Sequence, residues 1–239
     1  MGLNQYFLQS MAWLKQEGYL DHTRRVIELG RQQLNDEFLA ADADIRHLCA
    51  LFGIAVPSLP RPRGRGPQLP SSAPYSKAFY EGLGLQYDCI DIDGSDAIPL
   101  DLNFDDVPAS LRGQFGLVTN FGTTEHVMNQ MNAFKVVHDL AAAGGIMIHE
   151  LPAQGTLNHG FFAYQPKFFE RLAASNGYDV LFMDFRWAAI ERGLPPSVKL
   201  AISKYIDVRN RAEYGASPAA LFVVLRKAAD KRFAVPMDA

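Results

Sequence analysis

The chain has 239 residues, of which 48% are hydrophobic and 21% charged, with a formal net charge of −3. That length suits one core, so a single α/β domain over residues 1–239 is expected, and the charge balance offers no general attraction to nucleic acid or to an anionic membrane. With no apolar run long enough to span a bilayer and no secretory pattern, the expectation is a cytoplasmic protein with a small-molecule partner.

Leu3, Tyr6, Phe7, Met11 and Leu14 recur at three- and four-residue steps, which predicts an amphipathic helix within residues 1–20 ending near Gly18. It either covers a sheet edge or forms a lid over the turn that follows. Residues 26–30, VIELG, are a short apolar run closing on an acid and a glycine. They read as the first buried strand of an α/β sheet, opening into a turn where the backbone can approach a ligand closely. Residues 34–52 are helix-compatible, with Leu34 and Phe38, then Leu48 and Phe52, at i,i+4 spacing. Residues 57–74, PSLPRPRGRGPQLPSSAP, predict an extended loop in which Arg61, Arg63 and Arg65 are a solvated connection more readily than a phosphate contact. Cys49 and Cys89 lie in no CxxC pair and read as buried thiols.

Residues 76–84 predict a short helix, and residues 87–94, YDCIDIDG, a second strand that places Asp91 and Asp93 on one face. A carboxylate at that strand end can accept from both hydroxyls of a vicinal diol, or can cap the next turn. Residues 98–103, IPLDLN, read as a third strand closing with Asp101 and Asn103, and residues 115–120, FGLVTN, as a fourth. Gly122, Thr123, Thr124 and Glu125 then signal a helix start, continued by Val127, Met131, Phe134 and Val137 to a stop at Gly144 and Gly145. Residues 146–150, IMIHE, form a fifth strand.

Residues 151–166, LPAQGTLNHGFFAYQP, are a loop at the carboxyl end of that strand, the place where function concentrates in open α/β sheets. Pro166 opens a helix that Asn176 and Gly177 close, residues 178–185 and 220–225 are further strands, and residues 194–214 are polar and basic enough to lie at the surface. Strands alternating with helices indicate a doubly wound parallel sheet. Gly30 is not followed by the glycines of GxGxxG, and no GxxxxGK ending in serine or threonine occurs, which disfavours a pyrophosphate and leaves a nucleoside without phosphates.

ELG at residues 28–30, DID at 91–93, LDLN at 100–103, FGLVTNFGTTEHV at 115–127 and AAAGGIMIHE at 141–150 come in an order that resembles class I S-adenosylmethionine-dependent methyltransferases, over residues 24–227. The resemblance implies a Rossmann-like, mostly parallel seven-stranded sheet with an N-terminal helical segment and an insertion at residues 34–84 between strands one and two. It implies S-adenosyl-L-methionine as cofactor, with Glu28 and Gly30 against the methionine portion, Asp91 on the ribose diol, Asp101 and Leu102 at the adenine, and Asn120 facing the sulfonium and the acceptor. Where the family has two further glycines this chain has Gln32 and Leu34, so Gln32 either gives the cofactor an amide hydrogen bond or fills that space.

Methyl transfer from a sulfonium is an in-line displacement that asks for positioning and, with a neutral acceptor, for a base. His126, His149 and His159 are the candidates, with Asn120 beside them and Glu125 and Tyr164 behind; each histidine also has a structural reading in packing or turn formation. His138 sits within a helix and reads as structural. His149 and Glu150 are neighbours on a strand and point to opposite faces, so no metal site is expected of them with His159. Phe161, Phe162 and Tyr164 line an acceptor pocket or cover the core. The expected activity is methyl transfer to a small molecule. The alternatives are attack at another sulfonium carbon, including a cyclisation that releases methylthioadenosine, and a non-catalytic binding or scaffold domain.

Overall fold

The apolar run at residues 26–29 forms an interior strand of a sheet, paired on both sides. In the computed structural model, which describes residues 2–59, 74–94, 96–156, 159–187 and 219–238, the strands are β1 (Arg25–Leu29), β2 (Gln86–Asp91), β3 (Ile98–Pro99), β4 (Phe115–Phe121), β5 (Ala141–Gln154), β6 (Tyr178–Trp187) and β7 (Ala219–Lys227). They make a seven-stranded sheet in the order β3-β2-β1-β4-β5-β7-β6, parallel except where β7 runs antiparallel between β5 and β6. The doubly wound, mostly parallel sheet expected from the sequence is therefore the observed one.

The two-residue period of each strand divides the core. Ile27, Leu29, Val118, Met147 and Val223 face α5 (Gln130–Leu140) and α6 (Pro166–Asn176), whereas Val26, Leu117, Ile148 and Phe222 face α1 (Gln5–Gln16), α3 (Asp42–Phe52) and α4 (Lys77–Gly82). α1 starts at Asn4, whose side chain accepts from the Phe7 N–H at 3.1 Å, and it covers a sheet face where an edge was one expectation. Cys49 and Cys89 are buried free thiols, as expected.

Four local expectations need correction. The helix expected over residues 34–52 is two helices, α2 (Asp36–Ala40) and α3, broken at Ala41; Asn35 caps the first, and Asp42 and Asp44 lie in the first turn of the second, where the helix dipole favours acids. The third strand stops at Pro99 because the Asp101 carboxylate takes the Asn103 N–H at 2.8 Å and turns the chain. After β4 only a 3-10 turn, Thr124–His126, forms, and α5 starts at Gln130 with Asn129 as its cap. That helix ends at Leu140, before the glycines, where the buried Lys227 ammonium donates to the carbonyls of His138 (2.9 Å) and Ala141 (3.0 Å). Gly144 and Gly145 lie inside β5; a Cβ on Gly145 would stand 2.9 Å from the carbonyl oxygens of Phe115 and Ala142. The arginines at 61, 63 and 65 and the segment 194–214 lie outside the described residues. Among the described residues no helix is long and apolar enough to cross a membrane.

Candidate functional site

The chain leaves β3 and returns on the other side of β1 as β4, so the connections diverge at the carboxyl ends of β1 and β4, where open α/β sheets take ligands. A cavity of about 390 Å³ lies there. Gly30, Arg31 and Gln32 line it from the β1 turn, Asp91 from the end of β2, Asp101 and Leu102 from the turn after β3, and Gly122, Thr123 and His126 from the turn after β4.

The β1 turn is closed upon itself. Gly30 has φ +70°, and a Cβ there would stand 2.8 Å from the Thr123 hydroxyl, so this position requires glycine twice over. That hydroxyl donates to the Leu29 carbonyl at 2.5 Å, and the Gln32 amide donates to the carbonyls of Leu29 (3.0 Å) and Gly30 (3.1 Å) and to the Thr123 hydroxyl (3.4 Å). The Gln32 N–H groups are thus spent inside the turn, which favours the space-filling alternative. Glu28 lies beneath it, wholly buried and absent from the cavity wall. Its Oε2 accepts from the Ser76 hydroxyl (2.7 Å), the Tyr87 hydroxyl (2.8 Å) and the Gln32 backbone N–H (3.1 Å). Burial pushes its pKa up to about 7 against the opposing pull of those donors.

Asp91 Oδ1 accepts from the Ile92 N–H at 2.8 Å and Oδ2 from the Arg31 N–H at 3.4 Å, leaving carboxylate lone pairs on the cavity side. Asp93 lies beyond the strand and off the wall. Arg31, to which the sequence reading gave no role, puts a cation on the wall: its guanidinium stacks 4.1 Å above the Tyr75 ring and reaches Asp96 at 3.5 Å. Only the contact with Tyr75, 44 residues away in sequence, reveals its placement.

Beyond β4 the expected residues separate. Asn120 is wholly buried and off the wall, where its amide donates to the Thr124 hydroxyl (2.9 Å) and to His149 Nδ1 (3.1 Å). His149 is buried between the rings of Phe134 and Phe169, at centroid distances of 5.6 and 5.2 Å. Its Nδ1 accepts, which assigns the proton to Nε2, and burial lowers its pKa to about 3. A neutral, enclosed imidazole that accepts no proton near neutrality holds Asn120 in place. Glu150, on the opposite face, takes the Asn4 amide (2.8 Å) and the Arg186 guanidinium (2.8 Å), so these strand neighbours share no ion. His138 is held by the Tyr178 hydroxyl (2.6 Å) and the Lys231 carbonyl (2.7 Å), the structural role expected of it. Tyr164 is buried and donates to Gln130 Oε1 at 2.6 Å, whereas Phe161 is exposed.

His126 and His159 come together, with ring centroids 5.3 Å apart, across the wholly buried Glu125. Glu125 Oε1 lies 3.8 Å from His126 Nε2 and 3.4 Å from His159 Nε2. His126 is on the cavity wall; His159 is not.

No family model matches the chain, and no curated protein does. Solved structures resemble it in fold. A SAM dependent methyltransferase from Archaeoglobus fulgidus is 10% identical over 91% of this chain and 93% of its own, with a TM-score of 0.44. The 1,6-didemethyltoxoflavin-N1-methyltransferase of Burkholderia thailandensis, with 1,6-didemethyltoxoflavin and S-adenosylhomocysteine bound, is 10% identical over 93% and 78%, with a TM-score of 0.46. The O-methyltransferase of a trans-AT PKS multienzyme of Brevibacillus brevis, in complex with S-adenosyl-L-homocysteine, is 10% identical over 92% and 72%, again at 0.46. Such values are likenesses of fold; what the cavity does rests on its own residues.

Proposed function

We propose that this chain binds S-adenosyl-L-methionine in the cavity between the β1 and β4 turns and transfers the methyl group to a small-molecule acceptor. Asp91 carries this reading. Its carboxylate stands at the end of β2 on the wall of a cavity at the switch point, with lone pairs left to accept from both hydroxyls of a ribose. A turn closed by Gln32 offers no phosphate cradle, so the fitting ligand is a nucleoside without phosphates. Asp101 and Leu102 supply an acceptor group and an apolar face for the adenine, and the Arg31 guanidinium supplies a partner for an amino-acid carboxylate.

When bound, the cofactor supplies a methyl group on a sulfonium, which a nucleophile displaces in line. The chain's own contribution is placement. The Gln32 and Thr123 hydrogen bonds fix the turn behind the cofactor, and Gly122 and His126 form the wall facing the acceptor. Ile92, Phe104 and Met128 are exposed apolar side chains on or next to wall residues, which favours an acceptor with an apolar body.

Calorimetry with S-adenosylhomocysteine is the first test, with binding expected for the wild type. A cofactor carrying a deuterated methyl group then leaves the label on the acceptor. Methylthioadenosine among the products would replace methyl transfer with attack at another sulfonium carbon. Absence of binding by either S-adenosyl compound would sink both readings and leave a non-catalytic domain.

A further inference from the structure

We infer that Glu125, His126 and His159 form a binding site for one divalent transition-metal ion, of the zinc(II) class, at the edge of the cavity. One ligand atom from each, a carboxylate oxygen and two imidazole nitrogens, lie within 4.8 Å of one another. Two ligands each about 2.0–2.2 Å from a tetrahedral ion stand roughly 3.4 Å apart. The observed separations of 3.4 and 3.8 Å from Glu125 Oε1 are therefore close to those of a loaded site.

The second observation is the state of Glu125 itself. Its side chain is 0% exposed, and neither oxygen has a hydrogen-bond partner among the described residues. A buried carboxylate without donors is costly, and a cation between it and the two imidazoles removes that cost. Two imidazoles and one carboxylate are the donor set of zinc and iron(II) sites; magnesium and calcium prefer oxygen alone.

The loop that brings His159 is pinned to Glu125. The N–H groups of Phe161 and Phe162 donate to the Glu125 carbonyl at 2.8 and 3.2 Å. A Cβ on Gly160 would stand 2.9 Å from both Glu125 Cγ and that carbonyl oxygen, so only glycine permits this approach. The imidazole side chains, 50% and 39% exposed, leave an ion open positions for an outside ligand. The site stands on this geometry alone. Its use, holding an acceptor oxygen and easing loss of its proton, rests on the methyl-transfer reading.

The test uses the full chain without a histidine tag, stripped by a chelator and titrated calorimetrically with zinc(II), then with cobalt(II) while the visible d–d bands are followed. One equivalent is expected to bind, with cobalt bands of a four-coordinate site. His126→Ala and His159→Ala, both at exposed positions, are each expected to lose more than about 100-fold in affinity, beyond what an outer-shell partner costs. Circular dichroism checks that they remain folded, and Glu125→Gln serves as a third variant that keeps the volume. No stoichiometric binding by the wild type, or binding that survives both histidine variants, overturns the inference. Titrating the same stripped protein with S-adenosylhomocysteine separates the two readings, since loss of either binding leaves the other measurable.

Discussion

Glu28 lies under the turn after β1 and Glu125 in the turn after β4; both are wholly buried, yet three donors converge on Oε2 of the first and, among the described residues, none on either oxygen of the second. The difference separates two uses of a buried acid. Ser76, Tyr87 and Gln32 make Glu28 a brace that joins β1, β2 and the segment before α4. Beside Glu125 stand the imidazoles of His126 and His159, the arrangement from which the metal site is inferred.

The contrast breaks most directly at Glu28. Glu28→Ala strands three donors, two of them buried, so it is expected to lower unfolding stability by roughly 3–6 kcal/mol in urea denaturation. A loss under about 1 kcal/mol would mean that the brace is not one.

The next effect is on pH dependence. Because Glu28 is raised from its ordinary 4.5 to about 7, the folded chain keeps a proton that the unfolded chain releases across that window. Stability therefore declines from pH 4.5 to pH 7, by on the order of 3 kcal/mol from this group. His149, lowered from 6.5 to about 3, acts in the opposite sense: its contribution is present above pH 6.5 and is lost as the pH falls toward 3. The Glu28 contribution is thus read as the difference between wild type and Glu28→Gln, in which that decline disappears; identical profiles would rule it out.

Smaller effects fall on the cavity. Asp91→Ala removes the acceptors for a diol and is expected to weaken S-adenosylhomocysteine binding by about 2–3 kcal/mol, on the order of 100-fold, with no change in fold. Arg31→Ala is expected to weaken it by roughly tenfold while leaving methylthioadenosine, which lacks the carboxylate, unaffected. Equal losses for both ligands would place Arg31 elsewhere. The smallest loss is in the stability of metal-free Glu125→Gln, expected to fall no more than about 1 kcal/mol below wild type because the amide replaces a buried carboxylate that no donor among the described residues satisfies. A loss as large as that of Glu28→Ala would erase the contrast.

How far the sequence led follows from where each signal was local. Residues 26–29, the Pro166 start and the Gly177 stop were legible because burial, missing donor and left-handed φ act over a few residues. The helix start after β4 is not legible locally, because Thr123 and Thr124 have the residue type of caps. Their hydroxyls are used elsewhere, Thr123 on the Leu29 carbonyl and Thr124 by the Asn120 amide and the Tyr164 hydroxyl, and the cap falls to Asn129. The three histidines were equal candidates in sequence, and only burial divides them, since His149 is enclosed by rings from α5 and α6. The group of Glu125, His126 and His159 was out of reach as a unit. It depends on loop N–H groups finding the Glu125 carbonyl more than thirty residues earlier in the chain.

The Thr123 hydroxyl, bonded to the Leu29 carbonyl and touched by the Gln32 amide, stitches the β1 turn to the β4 turn two residues before Glu125. A displacement of either turn is therefore felt by the other. If a nucleoside binds at one end and a cation at the other, these bonds couple the two sites, and by linkage whatever either does to the affinity of the other is returned in equal measure.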